Sequence, residues 1–87
     1  MVNLVNSLNQ FEPIVFPAII QDGFWIKNLN EETKVIIFNS IGQPLFTSFI
    51  NDWKNPLYFV LSNFSKGIYF IALQSRQRSK TFKILKQ

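Results

Sequence analysis

The chain contains no cysteine and no histidine. Those absences exclude disulfide staples, cysteine nucleophiles, histidine bases and any metal site built on Cys or His. Lack of cysteine fits any redox compartment and so does not place the protein. Acid is scarce as well: five Asp+Glu face nine Lys+Arg, for a net charge of +4, and no acid lies beyond Asp52. That charge is modest and is not the field of a dedicated nucleic-acid binder. No apolar run approaches the roughly 18 residues of a membrane span. The opening MVNLVNSLNQFE lacks a cationic segment followed by an apolar one, so it does not read as a signal peptide. An export signal, if one is used, is expected in a longer parent chain, of which this would be an excised domain, or else the chain is a short open reading frame.

What is present is apolar and aromatic. Eighty-seven residues make one domain, and a chain of that size buries only about 60% of its unfolded surface. An apolar fraction of 47% with ten Phe supplies a dense core. Residues 1–12 are Asn-rich and read as a flexible lead-in, with the domain at 13–87. Short apolar runs then alternate with turn chemistry. Ile14-Val15-Phe16-Pro17 is a first extended piece, and Asp22-Gly23 is a turn signal. Strands are expected at 24–27, 34–38, 45–50, 57–61, 67–73 and 80–85. Asn39-Ser40-Ile41-Gly42-Gln43-Pro44 has the length of a hairpin connection, with Gly where a positive φ is wanted. Seven short strands and no sustained 3.6-residue repeat predict an all-β sandwich or barrel.

Alternation assigns faces. Phe24 and Ile26 share one side of their strand, opposite Trp25 and Lys27; Phe82 and Ile84 share a side, opposite Thr81 and Lys83. Both strands read as half-buried and edge-like. KVIIF and GIYFIAL are apolar on both faces, which leaves spare apolar surface, expected from Trp25, Phe46, Tyr58 and Tyr69. That surplus leaves room for a contact surface and a weak homodimer.

Catalysis has little to stand on. Ser65-Lys66 and Ser79-Lys80 are neighbours whose side chains diverge in an extended chain. Asp22 and Asp52 lack a nearby second carboxylate, and Glu31-Glu32 reads as an exposed turn pair. No catalytic, cofactor-binding or metal-binding residue is assigned. Trp25, Trp53, Tyr58 and the Arg76/Arg78/Lys80 cluster offer parts for stacking a glycan or a single-stranded nucleic acid. The cations and aromatics are not interleaved on one strand face, so no nucleic-acid partner is expected.

Three segments in order, KVIIFNSIGQPLF (34–46), FVLSNFSKGIYFIAL (59–73) and KTFKILKQ (80–87), resemble the C-terminal sorting domain of type IX secretion cargo, the type A family of Bacteroidota. Phe16-Pro17 corresponds to the family's Pro-containing first strand, although Pro17-Ala18-Ile19 stands where Pro-Asn-Pro is usual. Asp22 corresponds to the acidic position before the second strand. Phe38-Asn39-Ser40-Ile41-Gly42-Gln43 corresponds to the middle turn, and Phe64-Ser65-Lys66-Gly67-Ile68-Tyr69-Phe70-Ile71 to the Gly-Tyr strand. Lys80, Lys83 and Lys86 correspond to the basic end.

The resemblance implies an immunoglobulin-like, seven-stranded antiparallel β-sandwich with no cofactor. It implies a non-catalytic signal that directs an N-terminal passenger across the outer membrane to the cell surface or medium. The implied partners are the outer-membrane translocon and a sortase-like peptidase of the type IX system, which removes the domain. The alternative from the residues alone is a small glycan-binding or adhesion module. The implied recognition residues are Pro17, Asp22, Gly42, Gly67, Tyr69, Lys80, Lys83 and Lys86. Each also has a plain structural reading. The glycines serve turns; Tyr69 is a core aromatic with its hydroxyl at the sheet margin; the lysines are edge-strand charges that block sheet-to-sheet pairing; Pro17 breaks a strand at a sheet edge.

Overall fold

The structure is a computed structural model that describes residues 12–52, 56–76 and 78–87. The expected lead-in therefore lies outside the described residues except for Glu12, as does Trp53. All described regular structure is β. The strands are β1 (Ile14–Phe16), β2 (Ile19–Ile20), β3 (Gly23–Lys27), β4 (Thr33–Phe38), β5 (Pro44–Ile50), β6 (Leu57–Val60), β7 (Gly67–Gln74) and β8 (Ser79–Lys86).

They form two facing sheets, one three-stranded in the order β1-β3-β6 and one five-stranded in the order β2-β8-β7-β4-β5. Phe24 and Ile26 point inward from β3, and Ile37, Ile71, Leu73 and Ile84 meet them from the larger sheet; all are essentially solvent-free. Each such side chain contributes about 1.5–3 kcal/mol by leaving water. The two Phe rings of β3 and β6, Phe24 and Phe59, stack at 5.4 Å and fix the inner surface of the smaller sheet.

All seven expected strands form, and an eighth, β2, is added. The chain leaves β1 at the cis peptide Phe16-Pro17 and crosses to the other sheet. There Ile19 and Ile20 run parallel to the end of β8, opposite Leu85 and Lys86. Leu85 N–H donates to the Ala18 carbonyl and Gln87 N–H to the Ile20 carbonyl, at 2.8 and 2.9 Å. Pro17 therefore stands at the crossing between sheets. The pairing also makes the sandwich not wholly antiparallel.

Two further expectations are corrected. β3 is not an edge strand, being flanked by β1 and β6, and β8 is an edge only in part: it pairs with β7 along its whole length but with β2 only at Leu85 and Lys86, so residues 79–84 keep one open side among the described residues. Gly23 is not a turn residue but the first residue of β3, where a Cβ would press on the Phe59 carbonyl and the Tyr58 ring. The positive φ needed to end β3 is taken by Asn28, at 68°, a residue type that tolerates that region.

Candidate functional site

The Gly-Tyr segment is a buried brace. Tyr69 points into the sandwich and is only 5% exposed. Its hydroxyl donates to the Ser65 carbonyl at 2.5 Å and its ring lies 5.7 Å from Phe64. This overturns the expectation that Tyr69 adds to the spare apolar surface, and agrees with its plain reading as a core aromatic with its hydroxyl at the margin. Ser65 and Tyr69 together tie the 61–66 connection to β7. Gly67 opens that strand at φ 145°, a backbone region that side-chain-bearing residues rarely adopt.

The middle turn is organised by Asn39. Its Oδ1 accepts the N–H groups of Ile41 and Gln43 at 3.1 and 2.9 Å. Its Nδ2 donates to the Gln43 side chain at 2.8 Å. Gly42, at φ 87°, donates its N–H to the Asn39 carbonyl and closes the turn. The tip presents Ile41, 76% exposed. Asp22 lies exposed on the surface, and its carbonyl accepts the Leu61 N–H at 2.7 Å.

The three C-terminal lysines do not form one patch. They share a strand but not a face. Lys80 and Lys86 have the parity of Phe82 and Ile84, which point inward, whereas Lys83 points outward opposite Phe70. Six residues of strand separate Lys80 from Lys86 by about 20 Å. Lys86 is only 8% exposed, between the ends of β2 and β7, so it is not an open contact group. Lys80 is open; its Nζ lies 3.9 Å from Glu12 and 5.5 Å from the centroid of the Phe82 ring. β2 covers only Leu85 and Lys86, so Lys86 guards no edge, whereas Lys80 and Lys83 lie on the stretch of β8 whose second side is unpaired among the described residues and keep their reading as edge-strand charges.

The outer face at this end carries a feature that the sequence reading missed. Ile19, Leu85 and Ile68 stand side by side on adjacent strands, and are 56, 38 and 36% exposed. Lys83 and Phe70 form the next row. The result is an apolar ridge with a cation at its flank. Its signal was present in the β8 alternation, since Leu85 shares the parity of Lys83. Its neighbours depend on pairings that no local pattern reveals.

The aromatics on the outside of the smaller sheet form a separate group. Trp25 and Tyr58 are cross-strand partners with rings 4.7 Å apart, and Lys27 lies over Phe16 at 5.5 Å. Arg76, Arg78 and Lys80 belong to the β7–β8 end of the other sheet, so the parts proposed for stacking and for charge do not share a surface. Among the described residues, no group of three or more Asp or Glu could hold a metal ion.

Residues 14–87 match the family model described as the secretion system C-terminal sorting domain. No curated protein matches the chain. The match takes in β1 through β8, and with it Pro17, the Asn39–Gln43 turn, the Gly67–Tyr69 brace and the ridge on β2, β8 and β7. The family is one of sorting signals and not of enzymes. The chain belongs to the secretion system C-terminal sorting domain family, and it is a type IX secretion sorting signal.

Proposed function

We propose that the domain is read as a folded surface by the outer-membrane translocon of the type IX system. The contact is the outer face of β2, β8 and β7. One observation carries this reading: the end of the basic C-terminal strand is held between β7 and β2, and on its outer side Lys83 flanks the exposed row Ile19, Leu85, Ile68. A surface that mixes aliphatic side chains with one cation suits a protein partner with an apolar groove and an acidic rim. Of the lysines the family resemblance singles out, Lys83 and Lys80 are exposed and open to contact, whereas Lys86 is buried. Pro17, Gly42, Gly67, Tyr69 and Lys86 support the shape that presents them, and Asp22 fastens the start of β3 to the connection after β6.

After passage, a sortase-like peptidase separates passenger from domain within residues 1–12, and the passenger is released or anchored at the cell surface. The Asn-rich composition of that stretch supports this, because proteolysis favours exposed polar segments.

The test is an export assay. Residues 1–87 are fused behind a Sec signal and a fluorescent protein, in a strain with type IX secretion and in a matched translocon-deficient strain. Surface or medium fluorescence is expected only in the competent strain. The double variant Lys83→Glu/Leu85→Ser is expected to cut export at least tenfold while the purified domain keeps its far-ultraviolet circular dichroism. Full export of that folded variant would remove the ridge from the mechanism. Retention of the unmodified fusion in both strains would remove the translocon reading altogether.

A further inference from the structure

Two open sheets have four outer edges, and in this domain they are unequal. β2 has two residues, and the stretch of β8 it leaves uncovered, 79–84, carries Lys80 and Lys83; β1 has three residues and β6 four, whereas β5 has seven and no charge. Short strands are one way in which proteins blunt an edge; charges and bulges are others. β5 has few of these protections. Its sequence, PLFTSFI, has no charged residue, and its one proline is the first residue. Its register with β4 shifts only at the Phe38 end, and from Thr33–Ile50 to Ile37–Phe46 the pairing is continuous. Among the described residues, nothing pairs with its far side.

We propose that β5 is a dimer seam, through which two copies of this chain pair antiparallel about a two-fold axis at Ser48. The occupant follows from the strand's own pattern. Pairing with β4 puts Phe46, Ser48 and Ile50 on the inner parity, opposite Ile37, Val35 and Thr33, and Thr47 and Phe49 on the outer. Rotation about Ser48 places Phe46 opposite the second copy's Ile50, and Thr47 opposite its Phe49. Like parity meets like parity along the whole overlap. Each aromatic residue of the overlap meets a β-branched one, Phe46 with Ile50 and Phe49 with Thr47, the pairs that stabilise antiparallel sheets. With no charge on the strand, no repulsion opposes self-pairing.

A cleft of about 250 Å³ adjoins the seam, lined by Phe46, Tyr58, Phe59, Val60 and Phe64 among others. The second copy's Ile50 would stand beside Phe46 at its mouth and exclude water from it. The contact is isologous and closes at two copies. The joined sheet ends on both sides in the two-residue β2 and the open stretch of β8 beside it, where Lys80 and Lys83 oppose the addition of another strand. This seam lies at the opposite edge of the sheet from the Lys83 ridge, so the inference does not rest on the export reading.

The experiment uses the full 87-residue chain in sedimentation equilibrium over a wide concentration range. A reversible monomer–dimer equilibrium is expected. Thr47→Lys and Thr47→Glu, both on the outer parity, should each raise the dimer dissociation constant at least tenfold. An equimolar mixture of the two should restore the dimer, which a merely unfolded variant could not do. Ser48→Cys gives the register. The chain has no other cysteine, and residues facing each other across an antiparallel pair fall within disulfide reach. With oxidised glutathione, two Ser48→Cys chains should join covalently and release reduced glutathione. A monomer at millimolar concentration, or a dimer untouched by either Thr47 variant, would overturn the proposal. A monomer that bound an added extended peptide along β5 would likewise overturn it, and would assign the edge to a different chain.

Discussion

Gly23 offers the sharpest test of how the two sheets are built. It opens β3 opposite Val60, one strand from Tyr58 and Phe59. A methyl group there would collide with the Phe59 carbonyl oxygen and approach the Tyr58 ring carbon Cζ and hydroxyl at 2.8 Å, well inside the roughly 3.5 Å of an unstrained contact. Two effects oppose each other in Gly23→Ala. Restricting the unfolded chain stabilises by about 0.4–1 kcal/mol. Forcing a methyl into occupied space costs about 1–3 kcal/mol. The ring of Tyr58 can swing outward, because it is exposed, but the Phe59 carbonyl belongs to the β3–β6 pairing and cannot move without breaking it. The clash therefore wins, with a net loss of about 1–2 kcal/mol. For a domain of this length that lowers the melting temperature by roughly 5–15 °C, measurable by circular dichroism. The double variant Gly23→Ala/Tyr58→Ala should recover little, since the carbonyl remains. A Gly23→Ala protein that melts at or above the parent temperature would refute the close approach of β3 to β6.

Other substitutions separate scaffold from surface. Asn39→Ala removes the acceptor of two backbone N–H groups and should cost about 1–2 kcal/mol, seen as a lower urea midpoint with unchanged slope. Tyr69→Phe deletes the donor to the Ser65 carbonyl and should cost about 1 kcal/mol, measured in the same way. Ile84→Ala, in the core, should cost about 2–5 kcal/mol and reduce export through unfolding. Ile41→Ser, at the exposed turn tip, should shift stability by less than about 0.5 kcal/mol.

The strands were readable because β-branched and aromatic runs are separated by turn residues with definite jobs, such as Gly42 at positive φ. β2 was not readable. Two isoleucines after Pro17-Ala18 carry no period, and their parallel partner is some 65 residues away in sequence. The cover that β2 gives to the end of β8 was unreadable for a different reason. Alternation of Phe82 and Ile84 with Thr81 and Lys83 reports which face is covered; it says nothing about whether both flanks are paired. The same alternation, carried to the last strand residue, would have turned Lys86 inward. Tyr69 was read both as spare surface and as a core aromatic, because GIYFIAL is apolar at both parities and so holds no local clue to which parity faces the core. The ridge of Ile19, Leu85 and Ile68 is a product of pairing alone. One residue comes from each of three strands, two of them distant in sequence from the third.

The position of β8 between β7 and β2 also bears on time. Ribosomes make a chain from its N-terminus, and this family occupies the C-terminal end of its parents. The strand that joins β2 to β7, and that supplies the middle of the ridge, is then among the last stretches to be synthesised. Until it emerges, β2 has no partner and the five-stranded sheet has a gap. A stalled or prematurely terminated parent would lack this strand and, on the reading proposed above, the surface that is read. In this arrangement the address certifies that the cargo ahead of it has been made to its end.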